Sequence, residues 1–125
     1  MNALDLARTA YGSAATPIKT SRAIEYDAFA RITQKMSATQ RTKDKDFPSF
    51  ARALFDNRRL WTLLASDVSD PQNALSRDLR SQIFYLAEFT AAQTSKILKG
   101  HATVEPLIDI NTSVMRGLSR EGGAQ

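Results

Sequence analysis

Apolar positions recur at intervals of three and four residues along most of the chain, which is the spacing of one face of an α-helix. This pattern predicts five helices and no strands. The first is a short amphipathic helix at residues 2–10, and a connector with Gly12 and Pro17 follows at residues 11–19. Short links between the later helices favour antiparallel neighbours. We therefore expect an all-α fold, a small single-domain helical bundle that spans residues 1–125.

The second predicted helix begins near Thr20 or Ser21, both suitable N-caps, and should fray within the polar residues 37–46. The third begins at Phe47 and Pro48, because proline is tolerated in the first turn of a helix. Its inner seam contains one polar residue, Asn57. The seam consists of Phe47, Phe50, Leu54, Asn57, Trp61, Leu64 and Val68. Further apolar residues beside this seam place the third helix at the centre of the bundle, and a loop follows at residues 69–74.

The fourth predicted helix has Ser76 as its N-cap and Gly100 just past its end. We expect its inner side to consist of Leu79, Ile83, Leu86 and Phe89, with Phe84 and Tyr85 directed at other neighbours. The fifth helix is predicted to end at Gly117, before a mobile tail at residues 119–125. Its inner stripe consists of Val104, Leu107, Asn111, Val114 or Met115, and Leu118.

Two asparagines, Asn57 and Asn111, interrupt the apolar stripes of the third and fifth helices. A polar residue in a helix seam costs stability and tends to fix the register or the partner. Each side chain has three possible roles: it turns outward, it is satisfied inside the bundle, or it contacts a partner. We hypothesise a contact between Asn57 and Asn111, because the two helices must share a core. Trp61 is expected in that core, with a hydrogen-bond partner for its indole N–H.

Composition indicates one soluble domain. The 125 residues are 42% hydrophobic and 24% charged, and there is no cysteine to form a disulfide or a thiolate metal site. The net charge of +4 is a modest basic excess. The longest strongly apolar run, residues 83–87, is far shorter than the roughly 20 residues that cross a membrane. With no apolar segment of signal-peptide length at the N-terminus, we expect a cytoplasmic protein without a membrane span.

Motifs for chemistry are absent from the sequence. His101, the single histidine, lies in a short link and is expected to be solvated. No phosphate-binding glycine loop or nucleophile elbow occurs. Glu105 and Asp109 share a helical face, but acidic residues are favoured near a helix N-terminus without any bound cation. We therefore predict no cofactor, no metal and no enzymatic activity.

Six segments together resemble the FlaF family. They are ARTAY at 7–11, EYDAFAR at 25–31, DNRRLW at 56–61 with DV at 67–68, FYLAEFT at 84–90, LIDIN at 107–111 and VMRGL at 114–118. The similarity extends from the start of the chain to about residue 118, with the family's order and spacing. FlaF proteins are flagellar biosynthesis regulators of alphaproteobacteria.

The resemblance implies a cytoplasmic, non-enzymatic protein that promotes flagellin synthesis and secretion. Two mechanisms are associated with the family: an export chaperone that binds flagellin, and a post-transcriptional regulator of flagellin mRNA that acts with its companion FlbT. Neither brings a cofactor. The candidate partner-binding residues are Asn57, Arg58, Arg59, Trp61, Phe84, Tyr85, Phe89, Asp109, Asn111 and Arg116.

The chaperone interpretation has a physical basis, because a helical bundle with excess apolar surface can hold an amphipathic flagellin helix in a groove. Six aromatic residues are available to line such a groove or to complete the core: Phe47, Phe50, Phe55, Phe84, Tyr85 and Phe89. A homodimer is a third possible use of the same surface.

Direct RNA contact is disfavoured, since no RNA-recognition motif or stacking platform occurs. The basic candidates for it are Arg31, Lys35, Arg41, Lys43, Lys45, Arg58 and Arg59.

Overall fold

The computed structural model describes the backbone of residues 21–123 and the side chains of residues 26–117. This part of the chain forms four helices and no strand: α1 (Ser21–Arg41), α2 (Phe47–Ser69), α3 (Arg77–Leu98) and α4 (Glu105–Gly123). The predicted all-α class is confirmed. The predicted helix at residues 2–10 and its connector lie outside the described residues. None of the four helices combines the length and apolarity needed to cross a membrane.

The helices form an antiparallel bundle. Helix α1 packs against both α2 and α4, and α2 also packs against α3, whereas α3 and α4 come close at only a few positions. Helices α2 and α4 therefore face each other across the diagonal of the bundle.

The core consists of two apolar clusters, one toward each end of the bundle. Cluster 1 is formed by buried Met36, Phe50, Ala53, Leu54, Ile97, Val104 and Leu107. Cluster 2 contains buried Phe29, Trp61 and Ala87, with half-buried Leu60, Leu64, Ala65, Ile83, Leu86, Ile110, Val114 and Met115 around them. The order of these residues along each helix requires antiparallel neighbours: α1 enters cluster 2 first, and α4 enters cluster 1 first.

The predicted starts of α2 and α3 are confirmed by their caps. The Asp46 carboxylate accepts a hydrogen bond from the backbone N–H of Ser49, with Pro48 in the first turn of α2. Ser76 does the same for the backbone N–H of Leu79 at the start of α3. Helix α3 ends at Leu98, and Gly100 has a φ of +79°, the left-handed conformation that glycine adopts most easily after a helix.

The end of α1 lies within residues 37–46, where fraying was predicted, whereas the predicted end of α4 at Gly117 was wrong. Helix α1 continues into the polar segment as far as Arg41, where the Thr39 hydroxyl donates to the backbone carbonyl of Lys35. Helix α4 passes through Gly117 and reaches Gly123. A glycine inside a helix costs only about 1 kcal/mol relative to alanine. A glycine ends a helix by adopting the left-handed conformation, which has a positive φ, and Gly117 does not have a positive φ.

The predicted inner side of α3 is confirmed in part. Ile83 and Leu86 pack against cluster 2 and Phe89 packs against cluster 1, but these residues and Leu79 are only half-buried. The buried residues of α3 are Ala87, Thr90, Thr94 and Ile97. In the predicted seam of α2, the first residue, Phe47, is exposed.

Candidate functional site: a buried polar layer and an aromatic groove

Each helix contributes a buried polar residue at the level between the two apolar clusters. We call these four residues the polar layer: Thr33 of α1, Asn57 of α2, Thr90 of α3 and Asn111 of α4. Helix α3 has a second buried threonine, Thr94, whose hydroxyl donates to the backbone carbonyl of Thr90. The two asparagines and Thr90 have no solvent exposure. In each helix the polar residue follows or precedes core residues at three- or four-residue spacing, so the same periodicity that builds the core aligns the layer.

Asn111 is the centre of the polar layer. Its Nδ2 donates to Asn57 Oδ1 at 2.7 Å and to Thr33 Oγ1 at 3.0 Å. Its Oδ1 accepts from the indole Nε1 of Trp61 at 2.9 Å. The hypothesised contact between Asn57 and Asn111 is confirmed, as is the core position of Trp61. The indole also packs edge-to-face on Phe29, with ring centroids 5.7 Å apart.

Two polar atoms of the layer have no hydrogen-bond partner within the described residues. They are Asn57 Nδ2 and Thr90 Oγ1, one on each side of the interface between α2 and α3. A buried polar group without a partner costs about 1–3 kcal/mol. The layer therefore binds α4 to α1 and α2 by hydrogen bonds and contributes much less to holding α3.

The structure separates the ten predicted partner-binding residues into different places. Asn57, Trp61 and Asn111 are covered by the bundle's own helices. A partner would have to part those helices to reach them. The observed role of these three residues is internal packing and hydrogen bonding, and partner contact by them stays a prediction.

The four charged candidates are exposed. They lie on two helices that are diagonally opposite each other in the bundle. Arg58 and Arg59 are on α2, and Asp109 and Arg116 are on α4. Their solvent-facing sides point in different directions, so the four residues do not form one surface.

The three aromatic candidates of α3 differ in their exposure to solvent. Phe84 and Tyr85 are 44% and 68% exposed, whereas Phe89 is half-buried against cluster 1. Phe84 and Tyr85 belong to an open depression of about 360 Å³ between the end of α2 and the first half of α3. We call it the aromatic groove. It is lined by Val68, Arg77, Arg80, Ser81, Phe84, Tyr85 and Glu88.

The six aromatic residues divide between the two predicted uses and do not share one groove. Phe50 is buried in cluster 1, and Phe47 packs edge-to-face on it with ring centroids 6.1 Å apart. Phe55 is 61% exposed, but it precedes Val68 by thirteen residues on α2. At about 1.5 Å per residue, that places Phe55 about 20 Å along the helix from the groove.

Charged groups occupy both ends of the aromatic groove. Arg77 and Arg80 lie in the first turn of α3, and Glu88 lies near its middle. Arg80 Nε is shielded from solvent and has no hydrogen-bond partner among the described residues. Its Nη1 reaches the Asp70 carbonyl only at 3.5 Å, the limit of a hydrogen bond.

Sequence reasoning did not identify Val68, Arg77, Arg80, Ser81 or Glu88 as site residues. The signal available was the helical spacing of Arg77, Ser81, Tyr85 and Glu88, which places them along one face of α3. That spacing does not reveal that the end of α2 stands beside this face.

A comparison with protein-family models matches residues 7–118 to the model described as flagellar protein FlaF. The chain belongs to the FlaF family. Both the polar layer and the aromatic groove lie inside the matched region, as do all four helix starts. No curated protein and no solved structure matches the chain. Membership of the FlaF family makes this a flagellar protein.

The described part of this FlaF-family chain groups no three histidine, cysteine or acidic side chains in a way that would hold a metal ion. His101 is exposed in the link between α3 and α4. Glu105 and Asp109 are exposed on the first turns of α4, where acidic side chains favour the helix N-terminus.

Proposed function

We propose that this protein binds flagellin before export, as a chaperone that covers an amphipathic helix of its client in the aromatic groove. FlaF-family membership favours a flagellar component as the client. The observation that carries the proposal is the exposure of Phe84 and Tyr85 side by side in a depression of about 360 Å³. Adjacent exposed aromatic side chains in a concave site are typical of surfaces that bind other proteins.

The construction of α3 explains why these side chains face outward. Its buried stripe runs through Ala87, Thr90, Thr94 and Ile97 at helical spacing, and Phe84 and Tyr85 lie outside that stripe. Helices α3 and α4 also approach each other at only a few positions. Phe84 and Tyr85 therefore supply apolar area that the described bundle does not use.

The length of the groove fits a helix. Arg77 and Glu88 are eleven residues apart, which corresponds to about 16 Å along α3, or about three helical turns. An amphipathic client helix with anchors at three- and four-residue spacing would lie along this face beside Val68.

Calorimetric titration with purified monomeric flagellin tests the proposal. We expect binding with a negative heat-capacity change, since apolar surface is buried, and only a modest loss of affinity at high salt. Tyr85→Ser should weaken binding at least about tenfold, as expected for an anchoring tyrosine in an interface. Phe55→Ser is the matched control, because it removes an equally exposed aromatic ring about 20 Å from the groove.

Equal affinities of the Tyr85→Ser and Phe55→Ser variants would contradict the groove as the client site. Absence of binding by the wild-type chain would overturn the chaperone function. The same titration with FlbT, and with flagellin mRNA across a salt series, would then distinguish the regulatory alternatives, because RNA binding falls steeply with added salt.

A further inference from the structure

We infer that Arg77 and Arg80 form a carboxylate-binding subsite at one end of the aromatic groove, and that it selects a client helix with an acidic side chain beside its apolar anchors. This inference rests on the proposed function and adds to it the chemistry and the orientation of the bound helix. Three independent features of the groove support it.

The first feature is the state of the Arg80 guanidinium. Its Nε is buried and has no hydrogen-bond partner in the described part of the chain, and the one hydrogen bond of the guanidinium there is the 3.5 Å approach of Nη1 to the Asp70 carbonyl. Arginine offers donors in a planar fork that matches a carboxylate. Because Nε is shielded, a carboxylate in the groove would pair with the outer Nη groups, which make only that one long bond.

The second feature is the position of the two arginines on α3. They lie in the first turn, where the backbone N–H groups favour a negative charge and Asp78 already supplies one. Arg77 is exposed at the rim and Arg80 is half-buried at the wall of the groove. The two cations therefore act on the same end of a bound helix.

The third feature is the opposite charge at the far end. Glu88 lines the groove about 16 Å from Arg77 along the α3 axis. A client helix with an acidic residue at the arginine end and a basic or neutral residue at the Glu88 end fits in one direction only. In the reverse direction two like charges would meet, so the groove discriminates between orientations.

Charge variants of the full chain test the subsite with monomeric flagellin as the probe. Arg77→Glu should weaken binding about tenfold at low salt, and the difference should shrink as salt screens the interaction. The control is Arg52→Glu, which makes the same charge change on an exposed position of α2 outside the groove. It should change the affinity less than about twofold.

Arg80 is tested by a conservative pair. Arg80→Lys keeps the positive charge but loses the planar fork of N–H donors. Arg80→Gln loses the charge and the fork. We expect affinity to fall in the order wild type, Arg80→Lys, Arg80→Gln, with thermal unfolding used to confirm that each variant folds. The acidic residues of the terminal flagellin helices can be replaced by their amides one at a time. At one position the replacement should weaken binding as much as Arg77→Glu does. With that flagellin variant, Arg77→Glu should cause no further loss of affinity.

The outcomes separate this inference from the proposed function. If wild type and Tyr85→Ser differ but Arg77→Glu matches Arg52→Glu, the carboxylate subsite is overturned and the aromatic client site stands. If no flagellin binds the wild-type chain, the proposed function and the subsite both fall. If sedimentation shows a wild-type dimer that Tyr85→Ser converts to monomer, a second copy occupies the groove, and the client subsite is overturned.

Discussion

Asn111 Nδ2 donates a 2.7 Å hydrogen bond to Asn57 Oδ1 across the diagonal of the four-helix bundle. Both side chains are fully buried. The bond joins α2 to α4, two helices that are not neighbours in the bundle. A slip of either helix by one turn would replace its amide by an apolar side chain and leave the other amide unpaired. This pair therefore fixes the register of the bundle.

Replacing the two asparagines by leucine tests this coupling. Asn111→Leu should lower the free energy of unfolding by about 2 kcal/mol or more, because Trp61, Thr33 and Asn57 all lose their partner. Asn57→Leu should cost about 1 kcal/mol, since its Nδ2 is already unpaired. The double variant should cost less than the sum by on the order of 1 kcal/mol. Denaturant unfolding followed by circular dichroism measures all three, and strict additivity would refute the coupling.

Thr90→Val should leave stability unchanged or raise it by up to about 1 kcal/mol. The substitution keeps the shape of the side chain and removes a buried hydroxyl that has no partner in the described bundle. Thr33→Val is the matched control, because the same change there removes the acceptor of an Asn111 hydrogen bond and should cost about 1 kcal/mol. Equal unfolding midpoints for the two variants would contradict the unequal hydrogen bonding of the layer.

Trp61→Phe should destabilise the bundle by about 2 kcal/mol, from one lost hydrogen bond to Asn111 and a partly filled cavity beside Phe29. Combining it with Asn111→Leu should add less than the single effects, because the indole N–H then has no acceptor to lose. The wild-type chain has a single tryptophan, so its emission should shift to longer wavelength when unfolding exposes Trp61. An emission maximum that does not change on unfolding would place Trp61 outside the core.

The pKa of the Asp46 carboxyl should lie below its ordinary value. The hydroxyl of Ser49 donates to Asp46 Oδ2 at 2.6 Å, and the Ser49 backbone N–H donates to Oδ1 at 3.2 Å. These two bonds, the hydroxyl first, lower the pKa of Asp46 from 3.8. Because the folded pKa is lowered, the stabilisation is complete above the unfolded value and is lost as the pH falls through the folded one.

Carboxyl NMR chemical shifts across an acid titration measure this pKa. Ser49→Ala should move it upward, toward 3.8, while the backbone bond of the cap remains. A midpoint at or above 3.8 in the wild-type chain would contradict the cap geometry.

The sequence alone determined the helical class and the starts of α2 and α3. It also led to the expectation that Trp61 is buried and to the hypothesis that the two asparagines pair. Caps and periodicity are local properties of a helix. Two polar residues in the apolar stripes of one small core have few possible hydrogen-bond partners other than each other. The same local logic failed at Gly117, because packing can carry a helix past a weak terminator.

Tertiary structure alone decided how deeply each residue on the inner side of α3 is buried. Leu79, Ile83 and Leu86 share the helical face of Ala87 and Thr90 but are half-buried, whereas the buried residues are Ala87, Thr90, Thr94 and Ile97. The aromatic groove also depends on the assembled bundle, since it forms where Phe84 and Tyr85 lie beside the end of α2. Which helix a face meets, and at what distance, is a property of the assembled bundle and is not encoded in the spacing along one helix.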